Sequence, residues 1–116
     1  MTPKLRELVN RGLKQVNELG GMYSVENPTD VVVLKYTTQV VSGSLERLLL
    51  EVKLPNGSKL IKLVLWDEPW TGRNHELTEA CVYMSASPNI YPSQCKTVTE
   101  CERLLANHGE CREVNQ

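Results

Sequence analysis

A change of hydrophobic period near residue 20 divides this chain and sets its architecture. Before it, Leu5, Leu8, Val9, Gly12, Val16 and Leu19 recur at the intervals that line one face of an α-helix. Thr2 is a capping residue, Pro3 suits the first helical position, and Gly20-Gly21 ends the pattern. Gly12 lies on the apolar face, where it costs about 1 kcal/mol of helix propensity relative to alanine. The missing side chain lets a sheet come close.

Beyond the glycines the period becomes two. Asp30–Val41 is rich in Val, Thr, Leu and Tyr and reads as a strand. In residues 45–54, Leu48, Leu50, Val52 and Leu54 share one face, and Arg47, Glu51 and Lys53 share the other. Pro55-Asn56-Gly57 makes a tight turn, and residues 58–67 form a third strand with Ile61, Leu63 and Leu65 on one side. Pro69 breaks the pairing, residues 71–74 loop, and residues 76–84 form a fourth strand. The expected fold is α+β: a helix, then an antiparallel meander with one face covered by the helix.

The tail is different. Residues 85–94 carry Pro88 and Pro92 and read as loop. Residues 97–106 form a short helix capped by Thr97 or Thr99, with Val98, Cys101, Leu104 and Leu105 on one side. Cys81, Cys95, Cys101 and Cys111 are an even set crowded into one end, which points to two disulfides and an oxidising compartment. Each bond contributes about 2–4 kcal/mol, and three connectivities stay open. The sequon Asn56-Gly57-Ser58 agrees with a secreted, extracellular protein, whose leader would have been removed before Met1.

Several function classes are disfavoured. With 13 Lys+Arg against 14 Asp+Glu the net charge is −1, so no basic field gathers nucleic acid or acidic lipid. The longest aliphatic runs fall far short of the roughly 20 residues of a membrane span. No G-x-S-x-G elbow, phosphate-binding loop or H-E-x-x-H pair occurs, and neither His75 nor His108 neighbours a nucleophile. Glu46, Glu51, Glu100 and Glu102 read as a solvated surface. Cys95, Cys101, His108 and Cys111 lack the tight chelating pair of a structural zinc site, which favours disulfides. The expectation is a protein that is not an enzyme and uses no cofactor or metal.

The informative residues are at the turns. Gln39, Val40, Val41, Ser42 and Gly43 join two strands and keep two aliphatic side chains at the tip. The next connection but one, Asp67-Glu68-Pro69-Trp70, presents an aromatic after a rigid proline. In a meander the first and third connections share one end of the sheet. The two apolar tips should therefore form an exposed edge suited to a partner's cleft.

The segment Gln39-Val40-Val41-Ser42-Gly43 resembles the Q-x-V-x-G loop of the cystatins, and Pro69-Trp70 resembles their second hairpin loop. The runs TTQVVSGS and LWDEPW are most similar to insect sarcocystatin-type members, and the resemblance covers roughly residues 2–83. It implies a cystatin-like antiparallel sheet of five strands wrapped around one long N-terminal helix. It also implies a reversible, tight-binding inhibitor of papain-like cysteine proteases, the cathepsin L type foremost, acting as a secreted monomer. Gln39 to Gly43 would form the central tip of a wedge and Pro69 and Trp70 a second tip, occluding the catalytic groove without offering a scissile carbonyl. Residues 1–84 would be the cystatin domain, and 85–116 a cysteine-containing extension packed on it. The alternative is a non-inhibitory binding module of the same fold whose extension contacts a partner.

The sequence departs from the family in three ways. No glycine-bearing trunk precedes Pro3, so either the chain is trimmed or the wedge has two tips and binds less tightly. Cys81 fits one half of the family's second-loop cysteine pair, but the matching position on the preceding strand is apolar or Lys, so Cys81 is expected to pair with the tail. The asparagine motif for legumain-type proteases is not recognisable after the helix.

Overall fold

A computed structural model describes residues 2–55, 57–84 and 97–114 of the chain. Thr2 caps helix α1 (Pro3–Glu18), its hydroxyl accepting a hydrogen bond from the Leu5 amide at 3.2 Å. Pro3 occupies the first turn, where a missing amide leaves nothing unpaired. The chain then turns through Gly20 and Gly21 into four strands of 12 residues each: β1 (Asp30–Val41), β2 (Gly43–Leu54), β3 (Gly57–Glu68) and β4 (Arg73–Met84). Helix α2 (Val98–His108) and a short strand β5 (Glu110–Glu113) follow. The sheet is antiparallel, with the strands in chain order from β1 to β5.

One face of this sheet is a single apolar surface. Leu48, Leu50 and Val52 of β2, Ile61, Leu63 and Leu65 of β3, and Leu77, Ala80 and Val82 of β4 pack with Leu8, Val9, Leu13 and Val16 of α1. Burying each large side chain contributes about 1.5–3 kcal/mol. Leu77 and Ala80 share that face because Val64 opposes Glu79 while Leu65 opposes Leu77, which leaves Thr78 as an extra bulge residue. The Thr78 hydroxyl donates to the Val64 carbonyl at 3.2 Å. Gly12 is buried against β3, where an added Cβ would lie 2.8 Å from Leu63 Cδ1. The close approach that its position in the helix implies is therefore present.

The structure departs from the sequence reading in several places. The opposite sheet face is covered as well: Cys101 and Leu105 of α2 pack on Leu49, Leu60 and Cys81. Leu49, set between Arg47 and Glu51 on an apparently polar face, is the anchor of this second cluster. The tail also supplies a strand, since Ala80 pairs with Arg112 and Cys81 with Cys111, and the Val114 amide donates to the Thr78 carbonyl at 2.8 Å. β4 begins at Arg73, so residues 73 and 74, expected in a loop, already belong to the strand, with Arg73 opposite Glu68 beyond an irregularity between Trp66 and Glu68.

Glu46 and Glu51 are buried rather than solvated. Alternation from Leu48 turns Glu46 toward α1, where its Oε2 accepts a hydrogen bond from the Tyr36 hydroxyl at 3.0 Å. Burial first, and this carboxylate second, raise the Tyr36 pKa.

Cys81 and Cys111 are joined by a disulfide across β4 and β5, closing a separation of 30 residues. Cys101 is disulfide-bonded too, so two of the four donors weighed for zinc, Cys101 and Cys111, are not available as thiolates. Cys95, Asn56 and the 85–94 loop lie outside the described residues. No described helix is long and apolar enough to cross a membrane.

Candidate functional site

The first loop is a minimal hairpin. Val40 opposes Ser44 and Val41 opposes Gly43, leaving Ser42 alone at the tip. Such a turn needs a residue with positive φ, and Gly43 provides it at +88°. The space at Gly43 is also closed: an added Cβ would collide with the Asp67 carbonyl oxygen and lie 3.1 Å from Glu68 Cβ. Glycine is thus required twice, once by the turn and once by the contact with the end of β3.

The second loop is a 3-10 turn over Pro69–Thr71, closed by the Gly72 amide donating to the Pro69 carbonyl at 3.1 Å. Proline suits its first position, and Gly72 leaves it with φ +85°. The short turn leaves Trp70 70% exposed, while Val40 at the first tip is 88% exposed and Val41 39%. Large apolar side chains with so much surface in water are the exception among the described residues, most of whose leucines and valines line two cores.

The two loops are joined to one another. Ser44 pairs with Asp67 directly behind both tips. The Trp66 indole Nε1 donates to the Ser42 carbonyl at 2.8 Å. The Thr71 hydroxyl donates to Glu68 Oε1 at 2.8 Å and contacts the Glu68 carbonyl at 3.0 Å. Hydrogen bonds from the Ser42 hydroxyl, then from Thr71, hold the Glu68 carboxyl below the ordinary glutamate range against a smaller opposing desolvation, and Arg73 adds attraction. Arg73 itself lies over the Trp66 ring, 4.2 Å from its centroid. Gln39 is fixed from the next strand, its Oε1 accepting from Arg47 Nη1 at 2.9 Å.

All seven residues singled out in the sequence, Gln39, Val40, Val41, Ser42, Gly43, Pro69 and Trp70, thus fall at one end of the sheet. The start of α1 is at that end too. Thr2 and Leu5 line a cavity of about 320 Å³ with Tyr36, Glu46 and His75. The roles of Trp66, Glu68 and Thr71 were not foreseen. The signal for Glu68 and Thr71 was their spacing around Pro69, a turn-forming pattern, whereas the Trp66 bond to Ser42 depends on strand register.

His75 sits at the base of the second loop in a left-handed conformation, φ +48°. Its Nδ1 is 3.3 Å from Glu46 Oε1 and its Nε2 3.9 Å from Asp67 Oδ2, so the imidazole faces two carboxylates. Its carbonyl accepts from Gln15 Nε2 at 2.7 Å, while Gln15 Oε1 accepts the Leu77 amide at 2.8 Å. One glutamine side chain thereby binds two backbone groups of β4 and latches α1 to that strand. Glu79, Cys81 and Cys111 cluster on the sheet, but their two sulfurs are bonded to each other and offer no thiolate. No protein family, curated protein or solved structure matches the chain.

Proposed function

We propose that this chain is a cystatin-type inhibitor of papain-like cysteine proteases, blocking the catalytic groove reversibly with its two loops. The observation that carries the reading is the pair of exposed apolar tips, Val40-Val41 and Trp70, on adjoining turns of one stiff sheet. A narrow groove that holds a thiolate between two walls is filled by such a ridge. Val40 and Val41 displace its water, and the indole adds a large rigid area at small entropic cost. Because the strands fix both turns beforehand, little ordering remains at binding.

The helix cradled by an antiparallel sheet supports the cystatin-like fold. The number of strands also agrees with it, although the fifth strand comes from the tail. Oxidised cysteines support a secreted protein. The alternative, a binding module working through residues 85–116, has less support: Cys101 and Leu105 of α2 are packed on the sheet and one edge of β5 is paired with β4.

Titrating papain with the intact protein tests the proposal. Full, reversible loss of activity below about 1 µM inhibitor is expected, an affinity of roughly −8 kcal/mol or better. Undiminished activity at that concentration contradicts it.

A further inference from the structure

We propose that the outer face of the sheet, between the two loops and α2, is a binding site for a small organic carboxylate with an apolar body. The site stands apart from the exposed tips, and nothing in it rests on the inhibitory reading.

Alternation sends Leu45, Arg47 and Leu49 of β2, and Lys62, Val64 and Trp66 of β3, to the face opposite α1. Helix α2 covers only part of that face, around Leu49 and Leu60. Beside it lies a cavity of about 470 Å³, within the size range of small-molecule sites. Val64, only 7% exposed, forms its floor, with Leu45 and Trp66 beside it. Arg47 and Lys62 line this cavity and also a second hollow of about 160 Å³, so the two adjoin. Together they make a trough that runs along the strands for about 13 Å from Leu45 to Leu49. It is apolar toward the loops and cationic in the middle.

The cations are set for one anion. Arg47 opposes Val64 and Lys62 opposes Leu49, which makes them diagonal neighbours across β2 and β3. Such backbones are about 7–8 Å apart, so a carboxylate between these long side chains reaches both with charge-assisted bonds. Arg47 is already aimed, with Gln39 Oε1 taking one of its several N–H donors at 2.9 Å. Among the described residues, Lys62 has no hydrogen-bond or ion-pair partner, and no carboxylate pairs with Arg47. Arg73 also lines the larger cavity but is committed to the Trp66 ring and to Glu76. The acids at the borders limit the ligand to a single charge. Glu79 lines the larger cavity from β4, and Glu102, paired with Lys35 at 3.1 Å, stands at the α2 end. Both repel a second anionic group, which disfavours a polyanion or an acidic peptide. One carboxylate between Arg47 and Lys62 leaves the ligand's apolar body on Leu45, Val64 and Trp66.

Titrating the intact protein with decanoate, followed in 15N–1H NMR spectra, tests the site without any protease. A dissociation constant below about 1 mM is expected, with shifts gathered at residues 45–49 and 62–66 and at the Trp66 indole N–H. Acetate, which lacks the body, and decylammonium, which reverses the charge, should each bind at least about tenfold more weakly. Arg47→Gln combined with Lys62→Gln should weaken decanoate by about tenfold or more, the loss of two hydrogen bonds to a charged group. The urea midpoint of that variant should stay close to wild type, since both side chains are only half-buried. No binding at about 1 mM, equal binding of acetate or decylammonium, undiminished binding by the double variant, or shifts confined to the two loops overturns the proposal. So does a heparin-type polysaccharide or a polyglutamate peptide that displaces decanoate from the same residues.

Discussion

Replacing Gly43 by alanine separates two demands that the first loop makes on the same residue, provided Gly72→Ala is measured beside it. The two glycines have nearly the same backbone, φ +88° and +85°, so an added Cβ meets the same left-handed strain at each. That strain costs about 1–2 kcal/mol, and the stiffer unfolded chain returns about 0.4–1. At Gly72 nothing lies within 4 Å of the added atom, so the net loss should stay near 1 kcal/mol or below.

At Gly43 the new methyl overlaps the Asp67 carbonyl oxygen and meets Glu68 Cβ at 3.1 Å. Neither obstacle is the free end of a side chain, so β2 must move away from the end of β3 and weaken the Ser44–Asp67 pairing. Overpacking of this kind adds about 1–3 kcal/mol, placing the total near 2–4 kcal/mol. Urea unfolding is the assay: both midpoints fall with unchanged slope, Gly43→Ala clearly further. Equal losses, within about 0.5 kcal/mol, would refute the argument that the first loop is built against β3.

Trp70→Ala should leave the unfolding free energy within about 0.5 kcal/mol of wild type, since the indole is mostly in water, yet weaken papain inhibition by about 2 kcal/mol or more. Unaltered inhibition would remove Trp70 from the binding rim. Replacing Cys81 and Cys111 together by serine should lower stability by about 2–4 kcal/mol and speed amide exchange across β5. Exchange in β5 as slow as in wild type would show that backbone pairing alone holds the strand.

What the sequence disclosed, and what it hid, follows from the range of each interaction. Helix α1 and strands β2 and β3 were legible from their hydrophobic periods, β1 from its content of Val, Thr, Leu and Tyr, and both loops because glycine and proline mark turns locally. Leu49 was passed over because one leucine between Arg47 and Glu51 does not make a stripe. Its partners Cys101 and Leu105 lie some fifty residues away. Strand β5, Glu-Cys-Arg-Glu, has no apolar pattern at all, and what identifies it is pairing with β4 and the Cys81–Cys111 bond. Glu46 was read by its charge as surface, although the alternation running back from Leu48 already pointed it toward α1. The hydrogen bond from the Trp66 indole to the Ser42 carbonyl depends on the register of β2 against β3, which no local signal encodes.

Amide hydrogen exchange of the intact protein, free and saturated with papain, tests most directly which surface meets the protease. Protection should gather in residues 39–43 and 69–72, with α2 and the outer face of the sheet unchanged. Protection at α2 or β5 with both loops still exchanging freely, or no protection anywhere at saturating papain, would contradict the account.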